Sequence, residues 1–133
     1  MKKLKNILFL LMALLPLGVN AQDNYEEEDT STIIEIDRLE HFFDTIQEGD
    51  TVRAIFKVKN MGDYDLFIRQ IWPSCGCSVV EFKKTAIKIG EEIKVMVIFD
   101  SYHKTGEIEN SFQMFSNAGF HTFYLRGFVL SHK

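Results

Sequence analysis

The chain has 133 residues, with nineteen acidic against fifteen basic side chains and a formal net charge of −4 at neutral pH. Its first 21 residues hold three lysines and no acid, so the remainder carries twelve basic against nineteen acidic residues, a net of −7. That balance argues against nucleic acid or an anionic membrane face as partner, and the length allows one small domain with a modest core.

Lys2, Lys3 and Lys5 precede an apolar run from Ile7 to Leu15, a break at Pro16, and a small-residue end at Val19-Asn20-Ala21. That order predicts a secretory signal peptide over residues 1–21, cut between Ala21 and Gln22. The apolar run is too short for a transmembrane span. No cysteine follows the cut, where a lipid anchor would attach. The expectation is a soluble exported protein, periplasmic or extracellular. Residues 22–32 (QDNYEEEDTST) are strongly acidic with one aromatic residue, Tyr25, and read as a flexible tail.

From Ile33 onward the pattern is β, with branched and aromatic residues in short runs bounded by Gly, Asn and Asp. Ile33–Leu39 is a first predicted strand. Glu40–Asp50 is a second extended piece, entering the core through Phe42 or Phe43 and through Ile46. Thr51–Lys59 alternates cleanly, with Val52, Ala54, Phe56 and Val58 inward, and Arg53, Ile55, Lys57 and Lys59 outward. Asn60-Met61-Gly62-Asp63 is a turn by composition. The strand Tyr64–Trp72 changes parity between Ile68 and Ile71, which predicts a β-bulge there. Ser78–Phe82 is a short strand, followed by a loop over Lys83–Glu92 with Ile87 and Ile89 tucked beneath it. Ile93, Val95, Val97 and Phe99 form a second inward row. Ile108, Phe112 and Met114 form a third. Asn117-Ala118-Gly119 connects a hairpin to the last strand, Phe120–Leu130, with Phe123, Leu125 and Val129 inward. No window keeps a helical period, so residues 33–133 are expected to form an all-β, immunoglobulin-like sandwich of about seven to eight antiparallel strands.

Both cysteines, the only tryptophan and the only proline beyond the leader fall within Trp72-Pro73-Ser74-Cys75-Gly76-Cys77-Ser78-Val79. A local Cys75–Cys77 disulfide is the default in an exported chain. Residues two apart on a strand lie about 6.6 Å from one another, near the upper limit for a bridge, and Gly76 offers the freedom to bend. So short a loop contributes only about 1.6 kcal/mol of chain entropy, against about 3 kcal/mol for fifteen residues. The alternatives are a reactive dithiol, a pair of soft-metal ligands for an ion such as Cu(I), and unpaired thiols. Against a redox role, no helix start is visible to lower a thiol pKa. Against zinc, no second ligand pair is spaced as a motif among His41, His103, His121 and His132. No hydrolase elbow, metalloprotease helix, phosphate loop or calcium loop is present, so no catalytic residues and no cofactor are expected.

Several blocks together, His41–Asp50, Phe56–Gly62, Leu66–Ile68, Ser74–Val79, Ile93–Val95 with Phe99-Asp100, and Phe115–Ala118 with Leu125–Gly127, resemble the exported bacterial domain of unknown function 1573 family over about residues 41 to 129. The Ser-Cys-Gly-Cys block is the most specific part. The resemblance implies an immunoglobulin-like sandwich similar to the binding and scaffolding domains of Hydin and major sperm protein, with no established enzymatic activity. The chain departs from the family pattern at Asp44, where Gly is expected, and at Ile89-Gly90, where Pro-Gly is expected; both bear on turn geometry. The expected function is therefore an exported interaction or envelope scaffold module with a protein partner. The alternative is a thiol-redox or soft-metal-handling protein acting through Cys75 and Cys77, supported by Trp72, Pro73, Ser74, Gly76 and Ser78.

Overall fold

The computed structural model describes residues 29–131 together with Gly18. Apart from Gly18, the predicted signal peptide and the acidic stretch before Asp29 lie outside the described residues. Eight strands are present: β1 (Ile34–Ile36), β2 (Glu40–Gln47), β3 (Thr51–Asn60), β4 (Ile68–Pro73), β5 (Ser78–Glu81), β6 (Glu92–Asp100), β7 (Gly106–Ser116) and β8 (Gly119–Leu130). They form two four-stranded sheets, with order β1-β3-β6-β5 in sheet 1 and β2-β8-β7-β4 in sheet 2.

The inner faces follow the expected alternation. Val52, Ala54, Phe56 and Val58 of β3 and Ile93, Val95, Val97 and Phe99 of β6 are buried, as are Phe112, Met114, Phe123, Leu125 and Val129 of the other sheet. Strand β3 pairs antiparallel with β6 from Thr51↔Asp100 to Lys59↔Glu92 without a break. Across the sandwich Phe56 meets Phe123 at 4.6 Å between ring centroids, and Phe123 stacks on Phe112 at 5.4 Å. Each such ring adds a large buried apolar area plus a specific aromatic contact.

Five local expectations are revised. The first predicted strand is split: only Ile34–Ile36 joins sheet 1, and the chain then crosses to sheet 2 as β2. Strand β2 runs parallel to β8, an exception to the antiparallel pattern, and its register shifts between Phe42 and Thr45. The shift centres on Asp44, whose φ is 60°, a left-handed conformation that glycine adopts at least cost. This accounts physically for the Gly expected there, in whose place Asp44 adopts the same conformation at some cost. The bulge turns Phe43 and Ile46 toward the core and leaves Phe42 exposed. Phe43 lies so closely over Gly127 that a Cβ on Gly127 would overlap its ring.

The other revisions concern the region before and after the cysteine turn. Tyr64–Phe67 is not strand; Leu66 enters the core through an isolated bridge to Ile87 instead. Strand β4 begins at Ile68, and its register shift falls between Ile68 and Gln70, within the predicted bulge. Ile89 is 59% exposed, because a turn closes from Lys88 to Glu91 around Gly90 at φ 78° and carries it away from the core that Ile87 enters.

Thr30–Thr32, read from the sequence as the end of the tail, are tied to the sandwich. Asn117 Nδ2 donates to the Thr30 carbonyl at 2.9 Å, and the Thr32 hydroxyl donates to Asn60 Oδ1 at 2.8 Å. Asn60 is fully buried and also donates to the carbonyls of Tyr64 and Ile87. This satisfied amide pins the chain entry, the Gly62 turn and the Ile87 loop to one point.

Candidate functional site: the cysteine turn and the aromatic face beside it

The turn carries the chain from β4, an edge of sheet 2, to β5, an edge of sheet 1. Its two halves are anchored to different sheets. On the entry side Ser74 N donates to the Ser111 carbonyl at 2.8 Å, and Ser111 N donates to Ser74 Oγ at 2.9 Å, fastening the turn to β7. On the exit side Asp100 N donates to the Cys77 carbonyl at 2.9 Å, fastening it to β6. The Cα atoms of Cys75 and Cys77 are thereby held 5.3 Å apart, inside the range that a disulfide spans. Cys77 N approaches Cys75 Sγ at 3.2 Å.

Beneath the turn lies a residue that the sequence reading passed over. Asn110 Nδ2 reaches Ser78 Oγ at 3.4 Å and Cys77 Sγ at 3.8 Å, and both Asn110 and Ser78 are buried, at 7% and 5% exposure. A signal was present: Asn110 falls on the inward parity of Ile108, Phe112 and Met114, and an amide at a core position needs a partner. Its partners are the turn.

Gly76 is exposed, has open space where a Cβ would sit, and does not occupy the left-handed region. The bending role expected of it is therefore not a steric requirement of this turn. Pro73 closes β4 opposite Phe112, and Trp72 stands outward at 45% exposure, paired in register with Gln113. Phe115, two positions along β7, stacks on the 62% exposed Phe120 at 4.7 Å between centroids. Trp72 and Phe115 are diagonal neighbours on the ladder, within reach of aromatic side chains. Phe67 lies at the hairpin end of the same sheet, its N–H donating to Asn117 Oδ1. The outer face of sheet 2 beside the cysteine turn is an exposed aromatic patch.

The histidines occupy separate places. His41 packs edge-on to Phe56, with its Nδ1 3.0 Å from Arg38 NH2, and its pKa is held below the ordinary value first by burial and then by the Arg38 charge, against a smaller opposite effect of Asp44. His103 sits in a loop with φ 59°, His121 pairs with Met114 in the β7–β8 hairpin, and His132 lies outside the described residues. Among the described residues no three His, Cys, Asp or Glu side chains converge as metal ligands, and no helix is long and apolar enough to cross a membrane.

The family model described as "Protein of unknown function (DUF1573)" matches residues 34–129. The chain belongs to the DUF1573 family. No curated protein matches it. Among solved structures, this DUF1573 chain is similar to a protein of unknown function from Porphyromonas gingivalis W83, at TM-score 0.65 and 13% identity, covering 75% of this chain and 48% of that one. It is also similar to the ASH/PapD-like domain 7 of human CEP192, at TM-score 0.65 and 15% identity, covering 78% of this chain and 89% of the domain. A third similarity is to the secreted serine protease VesC from Vibrio cholerae, at TM-score 0.59 and 12% identity, covering 77% of this chain but 24% of that protein. The chain thus spans about half of the Porphyromonas protein and about a quarter of VesC. Identities this low establish a shared immunoglobulin-like, PapD-like fold.

Proposed function

We propose that this DUF1573 protein is an exported, non-catalytic interaction module of the cell envelope, and that it docks a protein partner through the outer face of sheet 2. The observation that carries the reading is the aromatic patch of Trp72, Phe115 and Phe120, since contiguous exposed aromatic surface marks interaction sites and aromatic residues dominate interface energetics. The PapD-like fold is compatible with this role. A Cys75–Cys77 disulfide in the mature protein holds the adjoining turn, which Asn110 ties to β7, the ladder partner of the edge strand that displays Trp72.

The test is site-specific photocrosslinking from position 120 in the cell that makes the protein. The expected result is one or a few discrete protein adducts that vanish when Trp72 and Phe115 are replaced by Ser. Adducts unchanged by that replacement, or none at all, would count against the reading. Thiol trapping in the same cells separates the redox alternative: mixed disulfides between Cys75 or Cys77 and small thiols would favour it.

A further inference from the structure

The outer face of sheet 1 carries a second surface of different chemistry. Along β3 the outward residues are Arg53, Ile55 and Lys57, and their ladder partners on β6 are Ile98, Met96 and Lys94. Lys57 and Lys94 therefore stand directly opposite one another, an arrangement of like charges that destabilises a sheet. Among the described residues neither forms an ion pair, and neither does Arg53, whereas Arg38, Lys83, Lys88 and Arg126 all have carboxylate partners. Of the acids of this face, Asp37 lies beside Lys57 on the β1 side, its Oδ1 accepting from Lys57 N at 2.8 Å and its Oδ2 paired with Arg38, while Glu35 and Glu92 flank Lys59 at one end and Glu81 lies on the β5 edge opposite Met96.

Between the cations the face is apolar. Ile55, Met96 and Phe82, together with Lys94 and Glu81, line a shallow cleft of about 360 Å³. The order along β3 is thus cation, apolar, cation with a two-residue step, so Arg53 and Lys57 are spaced by roughly 13 Å. An extended chain has that same repeat. A partner strand laid along β3 with an acid, an apolar residue and an acid at alternate positions would set both carboxylates against cations and its apolar side chain over Ile55 and Met96. On a chain whose charge is otherwise negative, Arg53, Lys57 and Lys94, which have no ion pair among the described residues, stand around an apolar slot and are complementary to an acidic peptide.

We propose that this face binds an extended acidic polypeptide segment, with carboxylates at Arg53 and at the Lys57–Lys94 pair and one apolar side chain in the cleft between them. The site is distinct from the aromatic patch on sheet 2, so a two-sided module results.

The experiment is fluorescence anisotropy of the purified protein with a labelled Glu-Ser-Leu-Ser-Glu peptide. Binding should weaken at least about tenfold between roughly 50 and 300 mM salt, as screening predicts. The double substitution Lys57→Gln/Lys94→Gln should weaken it about tenfold or more, and Met96→Ser by about threefold or more. Arg69→Gln, which removes a cation of sheet 2 that has no ion pair among the described residues, and Trp72→Ser should leave it unchanged. The substituted side chains are surface ones, and circular dichroism confirms folding in each case. Absence of binding to the folded protein, equal loss with Arg69→Gln, equal affinity for the peptide with Ser in place of Leu, or binding of phosphatidylglycerol vesicles in place of the peptide would each overturn the proposal. Because Trp72→Ser enters only as a control, failure here leaves the sheet 2 reading to its own crosslinking test.

Discussion

The two sheets have equivalent inner faces and unlike outer ones. In sheet 1 the central β3–β6 ladder is unbroken, and its outward positions include the cations Arg53, Lys57 and Lys94 around Ile55 and Met96. In sheet 2 both edge strands carry a register shift, one edge pair is parallel, and the outward positions include the Trp72, Phe115 and Phe120 patch. A regular ladder displays a period-two pattern of side chains, whereas a bulged edge re-aims single side chains such as Phe43 and hands the chain from one sheet to the other. Irregularity therefore concentrates at the edges of sheet 2.

The most forceful way to break this comparison is to attack what the sheets share. Phe56→Ala and Phe123→Ala should each cost about 3 to 5 kcal/mol in denaturant unfolding, since both rings are fully buried. They are in contact, so the double variant should lose less than the sum of the two. Strict additivity would show that the sheets do not share one packed interior.

Next in size is a pair of glycines that looks equivalent in sequence. Gly127→Ala should cost about 1 to 3 kcal/mol, because the new methyl group must displace the Phe43 ring that the β2 bulge places there. Gly76→Ala should stay within about 0.5 kcal/mol, having open space and no left-handed φ. Comparable losses at both sites would dissolve the contrast between the bulged edge and the cysteine turn. The double replacement Cys75→Ser/Cys77→Ser should fall between them, at about 1 to 2 kcal/mol, measured against the same protein under non-reducing conditions.

Much of sheet 1 was legible from Thr51–Lys59 and Ile93–Phe99, because one buried face and one wet face impose alternation on the sequence itself. The β1–β2 division was not. Ile33 to Gln47 keeps β composition throughout, and nothing local records which sheet each half joins; the partner strands β3 and β8 decide that from far along the chain. Tyr64–Phe67 misled for a related reason, since Leu66 is as buried as a strand residue while its backbone pairs at a single bridge. At the candidate site, Cys75, Cys77 and Trp72 were legible as rare residues in one short block. The aromatic patch was not, because it assembles from β4, β7 and β8 only once their register is known. The cationic face escaped notice for the same cause: Lys57 and Lys94 become a like-charged pair through the ladder.

A smaller effect isolates the bulge. Asp44→Gly should stabilise the protein by about 0.5 to 1 kcal/mol, as it relieves a left-handed φ in a residue with a Cβ. A loss of stability in thermal or denaturant unfolding would mean that the Asp44 carboxylate has a structural role greater than the backbone cost.

The smallest expected effect is a pH dependence at the same edge. Arg38 can donate to His41 Nδ1 only while that nitrogen is unprotonated, and burial beside Phe56 further disfavours the imidazolium. The folded-state pKa of His41 is accordingly depressed from its ordinary value of 6.5. Above that value both folded and unfolded states hold it neutral, and no penalty applies. As pH falls below it the unfolded chain takes up a proton that the folded protein resists, so stability declines until the folded pKa is reached and levels off thereafter. Unfolding curves for wild type and His41→Gln should therefore converge or separate only below about pH 6.5, with the wild type losing relative stability on acidification. Asp44→Gly removes an anion that favours the charged ring, so it should steepen the decline. A wild-type advantage over His41→Gln that grows on acidification would show the imidazolium to be welcome in the fold, and would contradict the placement of Arg38 against it.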